Sequence, residues 1–326
     1  MRKVSVALTA LLVLTGCTQQ PGEGGLLDAM ATVSAQGPAA AYFEYGEPGW
    51  WRDLGVKAGS GEARRWLPAV SSGLGPLAAA AEALPKATGM TPAAGRRAIS
   101  IGVPPQQALR WDGDVEADTV RTKLTTLGAK PRRFGEHEGL SFAPGNEIDL
   151  SRMIVPGVTN QLNQVVTTDT LVAAASAPEP LAAVLGGEST LADNPPHAAM
   201  AACLGDVAAA TIMAPSRPGA VTLYGVGLRR PAGLTDRPVN VICVVPAASS
   251  ATDVERALTT RLTPSGNTRD GGTYGKYAPE IVHDRISSDD HTALRAVLTL
   301  SDTTNVMFAN QMLYRGELET LTGPSR

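Results

Sequence analysis

Residue combinations able to carry chemistry are scarce in this chain, and those present each fail at a definable position. No Gly-x-Ser-x-Gly elbow occurs and no serine is followed three residues later by lysine, which argues against the common serine-hydrolase and penicillin-binding arrangements. There is no His-Glu-x-x-His and no paired Cys-x-x-Cys spacing for zinc. Gly271 to Lys276 sets a lysine after two glycines as a phosphate loop does. Only three residues separate those glycines, however, and Tyr277 stands where Ser or Thr must meet magnesium, so a glycine-rich hairpin is expected instead. Asp112, Asp114, Glu116 and Asp118 alternate like a calcium loop, but Ala117 replaces the turn glycine and Lys123 the closing glutamate; the acids read as a charged helix start. His283, Asp284, Asp289, Asp290 and His291 are suitable metal-ligand types without a defined geometry, and are expected in a solvated loop between strands. His137 and His197 are isolated, and in a strand Glu136 and Glu138 would face away from His137. The expectation is a protein with no catalytic residues, no metal and no cofactor, and not an enzyme. Trp50 and Trp51 remain as the candidate interaction residues: the pair could touch headgroups, sugar or a protein, or plug the edge of the core beside Leu54 and Val56, and the plug is favoured.

The amino terminus is more specific. Arg2 and Lys3 precede an apolar run, Val4 to Leu14, that is too short to span a bilayer as a stable helix. Leu14-Thr15-Gly16-Cys17 then resembles the lipobox of bacterial lipoprotein precursors. That resemblance implies cleavage of a signal peptide over 1–16 and acylation of Cys17. Two or three buried acyl chains, at about 0.8 kcal/mol per CH₂, hold a protein on a membrane far more firmly than one. Residues 17–25, with Thr18 to Gly25 polar and rich in turn formers, read as a flexible tether. At roughly 3.3 Å per residue, those eight span at most about 25 Å, which keeps the folded part close to the outer face of the cell membrane. Abundant alanine and an excess of arginine over lysine, together with the lipobox, resemble an actinobacterial (high-GC Gram-positive) surface lipoprotein.

Composition narrows the partners. The chain is 43% hydrophobic, enough for one or two full cores, and no later stretch has eighteen uninterrupted apolar residues. Loss of Arg2 and Lys3 takes the formal charge from −3 to about −5. An acidic chain with 4% aromatics and no basic block has little with which to neutralise phosphates or stack bases, so nucleic acid is not an expected partner. After Cys17, only Cys203 and Cys243 remain, and in an oxidising compartment they are expected to pair, closing a loop of about 40 residues.

The elements expected to hold these residues form one architecture used twice. Ala98 to Val103 and Val239 to Val245 are strand-like runs, each followed by an amphipathic helix with apolar spacing at Val120, Leu124, Leu127 and at Val254, Leu258, Leu262. A hairpin candidate follows in each half, Arg133 to Phe142 and Gly271 to Tyr277, then strands over 163–175 and 293–300, then helices near 178–185 and 305–318. Between Leu67 and Leu84, Pro68, Gly73 and Pro76 break an apolar helical stripe into two short helices. The order predicts an α+β fold, largely antiparallel sheet with packed helices and an internal duplication of a strand-helix-hairpin-strand-helix unit, divided into halves 26–215 and 216–326 at Pro215 to Gly219. The function expected is a membrane-anchored, extracytoplasmic, non-enzymatic binding or envelope-organising lipoprotein, partnered by the membrane through Cys17 and by an envelope protein. The alternative is a carrier of a small apolar or lipidic ligand. An enzyme with a site assembled from scattered residues ranks last.

Overall fold

The computed structural model describes residues 25–57, 61–288 and 291–323; Cys17 and the rest of the expected signal and anchor lie outside them. Twelve strands form one sheet, and every neighbouring pair is antiparallel. They are β1 (Tyr42–Gly46), β2 (Arg97–Val103), β3 (Gln106–Asp112), β4 (Lys130–Phe134), β5 (His137–Ser141), β6 (Gln164–Thr168), β7 (Leu171–Ala175), β8 (Val207–Met213), β9 (Val221–Arg229), β10 (Val239–Pro246), β11 (Glu280–Ser288) and β12 (His291–Thr299). The α-helices are α1 (Leu26–Met30), α2 (Pro38–Ala41), α3 (Pro48–Asp53), α4 (Leu67–Val70), α5 (Leu84–Thr88), α6 (Ala117–Thr126), α7 (Pro178–Leu185), α8 (Pro195–Leu204), α9 (Ala251–Arg261), α10 (Phe308–Tyr314) and α11 (Glu317–Thr322). The fold is α+β, as the order of elements predicted.

Helices cover both faces, which is why central strands such as β10 (Val-Asn-Val-Ile-Cys-Val-Val) read as nearly continuous apolar runs rather than alternating ones. On one face α1, α7 and α8 pack over Phe43, Tyr45, Ile99, Ile101, Ile212 and Val241. On the other, α6 covers Leu109, Trp111 and Val172, while α9, α10 and α11 cover Val226, Ile242 and Leu298.

The strand order, β11-β12-β10-β9-β8-β1-β2-β3-β7-β6-β5-β4, contains a repeat. β1-β2-β3 is a meander followed by α6 and, later, by β7 against β3; β8-β9-β10 is a meander followed by α9 and then β12 against β10. The two units meet through antiparallel pairing of their first strands, β1 and β8, and the strand order runs outward from that seam in the same sequence on both sides. The sequence pairing of the repeats is corrected by one strand. The partner of β10 is β3, which immediately precedes α6, whereas the strand over 98–103 that sequence reading matched to it is β2. The hairpin expected over 271–277 is also corrected: Tyr274–Lys276 is a turn of 3₁₀ helix, and the hairpin that follows α9 is β11–β12. Residues 283–288, expected in a loop, form the edge strand β11, charged because its outer side faces solvent. The 215/216 division falls in the connection from β8 to β9, and the sheet runs through β8 on both sides.

A cross-strand row shows how the units join. Leu109, Ser100, Glu44, Thr211 and Val226 are successive register partners, so three polar residues separate the apolar cluster under α6 from that under α9 and α10. Burial pushes the Glu44 carboxyl up, although it accepts from the Gly73 amide at 3.1 Å and the Tyr42 hydroxyl at 3.2 Å. Cys203 on α8 and Cys243 on β10 are bridged, with Cα atoms 6.1 Å apart, as their count predicted.

Candidate functional site

The end of β1 builds the most elaborate polar site. A Cβ on Gly46 would lie 2.0 Å from the Ser72 carbonyl oxygen, so only glycine lets the 71–73 turn close over the strand there. Glu47 follows, and its amide donates to the Ala208 carbonyl at 3.1 Å. Pro48 then opens α3 at a position where proline's fixed φ suits a helix start. This short helix divides the tryptophan pair. Trp51 is fully buried and stacks on Trp66 with ring centroids 5.7 Å apart, as the plug reading expected. Trp50 is half-buried and lines a cleft of about 610 Å³.

Ends of several elements converge on this cleft: Asp28 and Thr32 from α1 and its exit, Glu47 after β1, Arg52 on α3, Arg96 and Arg97 at the start of β2, Asp112 at the end of β3, and Arg230 after β9. Arg97 and Asp112 are register partners, and Arg97 Nε donates to Asp112 Oδ2 at 2.7 Å. From the same strand Arg110 Nε donates to Asp112 Oδ1, also at 2.7 Å. Asp112, 8% exposed, is therefore clamped by two guanidinium groups. Glu47, 7% exposed, accepts from Arg230 Nη2 at 2.9 Å and from the Tyr45 hydroxyl. Burial raises the Glu47 carboxyl, and the Tyr45 bond and Arg230 oppose that rise. Burial also pushes up the Tyr45 hydroxyl, with the Glu47 charge adding to it. The Arg230 guanidinium sits 4.8 Å above the centre of the Trp50 ring, and its Nε lies 3.0 Å from the exposed Asp206.

The cleft is lined by four arginines, Arg52, Arg96, Arg97 and Arg230, and four acids, Asp28, Glu47, Asp53 and Asp112, so its charges balance. Arg97, with Arg110 from outside the lining, holds the buried Asp112, and Arg230 holds the buried Glu47 as well as Asp206. Each guanidinium has five N–H donors, more than these bonds use. Asp28 and Asp53 lie exposed at the rim with Arg52 and Arg96. Carboxylates already bound by arginine are poor metal ligands and poor general bases, whereas guanidinium groups with donors beyond those bonds can receive an incoming anionic group. Sequence reading singled out Trp50 and placed Asp112 among the acids of a helix start, whereas it ends β3; it did not single out Glu47, Arg97 and Arg230, which lie far apart in the chain and meet only in the fold.

The remaining candidates stay apart. His137 lies exposed in the β4–β5 hairpin. His197 is buried at the start of α8 beside Asn194, 3.0 Å away, and burial drives it down to about 4. His283 Nε2 donates to the Leu262 carbonyl at 2.8 Å, and Asp284 is paired with Arg295. Among the described residues no group of His, Cys, Asp and Glu could hold a metal ion, and no helix is long and apolar enough to cross a membrane.

No protein-family model matches the chain, and no curated protein matches it. Among solved structures it is similar to one described as crystal form IV of TP0453, at 8% sequence identity and a TM-score of 0.36, over 83% of this chain and 93% of that one. No residue role is carried over from that likeness.

Proposed function

We propose that the protein is a lipid-anchored, extracytoplasmic binding protein without catalysis of its own, whose cleft at the end of β1 receives an anionic group, carboxylate or phosphate, of an envelope ligand. The observation that carries this reading is the convergence of four arginines on one cleft, two of which, Arg97 and Arg230, are engaged with buried carboxylates and have more N–H donors than those bonds use. The cleft's volume lies within the range of ligand sites. Its charged lining suits a polar headgroup better than an acyl chain, and so favours binding of this kind over carriage of an apolar ligand. The lipobox and the bridged cysteines support an oxidising location outside the membrane. On this reading, Cys17→Ser leaves the protein unprocessed or free of the membrane fraction.

Trp50 supplies the reporter. Glycerol 3-phosphate and inorganic phosphate titrated into the mature protein are expected to change tryptophan fluorescence saturably, and Arg96→Gln and Arg230→Gln to weaken binding by about tenfold or more, each tenfold being about 1.4 kcal/mol. A titration without saturation for either probe, or one unaffected by both substitutions, contradicts the proposal.

A further inference from the structure

A second concavity lies in the other unit, about 300 Å³ in volume and separate in its lining from the arginine cleft. Three segments distant in sequence form it: the glycine-rich stretch 268–277, the turn 303–305 after β12, and α10 with the start of α11. Hydrogen bonds fix them together. Thr304 Oγ1 donates to the Tyr277 carbonyl at 2.9 Å, the Ser301 amide donates to that same carbonyl at 2.8 Å, and Arg269 Nη1 donates to the Arg315 carbonyl at 2.6 Å. The concavity is thus preformed, which reduces the ordering cost of binding.

Its lining has three components. Tyr277 and Phe308 stack with centroids 5.0 Å apart and supply an aromatic wall. Glu317, 6% exposed, brings a buried carboxyl that burial pushes up and that accepts from the Tyr274 hydroxyl. Around these stand hydroxyl and amide groups, chiefly Thr303, Asn305 and Gln311. Asn305 Oδ1 accepts from the Met307 amide at 2.8 Å, which leaves its Nδ2 to donate. Among the described residues the Gln311 side chain makes no hydrogen bond, so both its donor and acceptor are open.

The charges cancel: Lys276 and Arg315 face Asp270 and Glu317, and Arg315 Nη1 lies 3.3 Å from Asp270 Oδ2. A neutral balance selects against an anion or a cation, and the hydroxyl and amide lining selects against a purely apolar ligand. Planar groups that both donate and accept, set beside an aromatic wall, match a ligand with adjacent hydroxyls on one side and C–H groups on the other. We propose that this concavity between the 268–277 stretch and α10 is a binding site for a neutral saccharide. The glycine pair Gly271 and Gly275, which sequence reading set aside as a failed phosphate loop, belongs to the segment that forms its edge.

The test is ligand-observed NMR and calorimetry on the full mature chain with maltotriose, mannotriose and tri-N-acetylchitotriose. Saturable binding of at least one is expected, weakened about tenfold or more by Gln311→Ala and by the exposed Thr303→Ala, and unchanged by Arg230→Gln in the other cleft. Variants are accepted only with melting transitions like the parent's, and the two substitutions sit on separate segments so that one fold failure does not decide the result. Cell-wall polysaccharide binding more tightly than any trisaccharide points to an anchored polymer as the source, and equal affinity to a free saccharide. Absence of binding by all three below about 10 mM, binding indifferent to both pocket substitutions, or competition by inorganic phosphate overturns the proposal. The arginine-cleft proposal is untouched by any of these results.

Discussion

Reducing the Cys203–Cys243 bridge tests how the second unit is held together. The bridge ties α8, on one face, to β10 in the sheet beneath it, and its loop of 40 residues encloses β8 and β9. In the chain-entropy model, closing a loop of that length removes about 4 kcal/mol of freedom from the unfolded ensemble. Comparing oxidised and reduced wild-type protein keeps every side-chain atom except the two thiol hydrogens constant, so no cavity term enters, as it would with alanine. Urea unfolding of a chain this long has a slope of about 3 kcal/mol per molar or more, which converts the loss into a midpoint lower by about 1 M in the reduced protein. Both cysteines are fully buried, so a phosphine reductant should act only as fast as the native unit opens. The assay is paired urea titrations by far-UV circular dichroism, with thiols counted in each sample. Coincident midpoints with the bridge counted as formed would refute the loop argument. Two free thiols in the unreduced, secreted protein would refute the bridge itself.

Three further outcomes follow from named contacts. Trp51→Ala, which empties a fully buried site against Trp66, should cost about 3–5 kcal/mol, whereas Trp50→Ala, half-exposed over Arg230, should cost about 1 kcal/mol; equal losses by chemical denaturation would show that the pair is not divided as described. The unfolded chain protonates His197 near 6.5 and the folded one only near 4, so stability falls as pH drops through 6.5 and levels off below about 4, a loss on the order of 3 kcal/mol. His197→Gln should flatten that limb of the melting-temperature profile, and parallel profiles would contradict it. Glu44 has the opposite sign: its raised carboxyl contributes stability below its ordinary 4.5 that is lost as pH rises through the folded value, so Glu44→Gln should gain on wild type above that point, and a constant difference at all pH values would count against the buried seam.

The parts of the fold legible in the sequence are those with local signals. The β6–β7 hairpin with its Asp169-Thr170 turn, the helices α6 and α9 with their apolar spacing, and α7 at Pro178–Leu185 all lie where periodicity and turn residues put them. β1 was not legible: five residues, Tyr-Phe-Glu-Tyr-Gly, carry a glutamate and two tyrosine hydroxyls because the strand sits at the polar seam between units. β11 was hidden by its charges, Asp284 and Arg285, which pair with Arg295 and Glu255 at the sheet edge. The repeat was visible in the helices but shifted by one strand, since β2 resembles β10 in apolar character more than β3 does, and strand order is fixed only by pairing. Of the cleft, Trp50 was legible as an aromatic in a turn-rich context. The arginines and carboxylates around it were not, because Arg97 and Asp112 meet by register and Arg230 reaches Glu47 across 183 residues.

The central claim is that an anionic ligand occupies the arginine cleft beside Trp50. Native mass spectrometry of the mature protein, released from producing cells in mild detergent, tests it most directly when run beside the Arg97→Gln, Arg230→Gln double variant. The account predicts an added mass carrying phosphate or carboxylate on the wild type, absent or strongly reduced on a folded double variant. A bare wild-type mass that glycerol 3-phosphate does not shift, or an adduct retained equally by the variant, would contradict it.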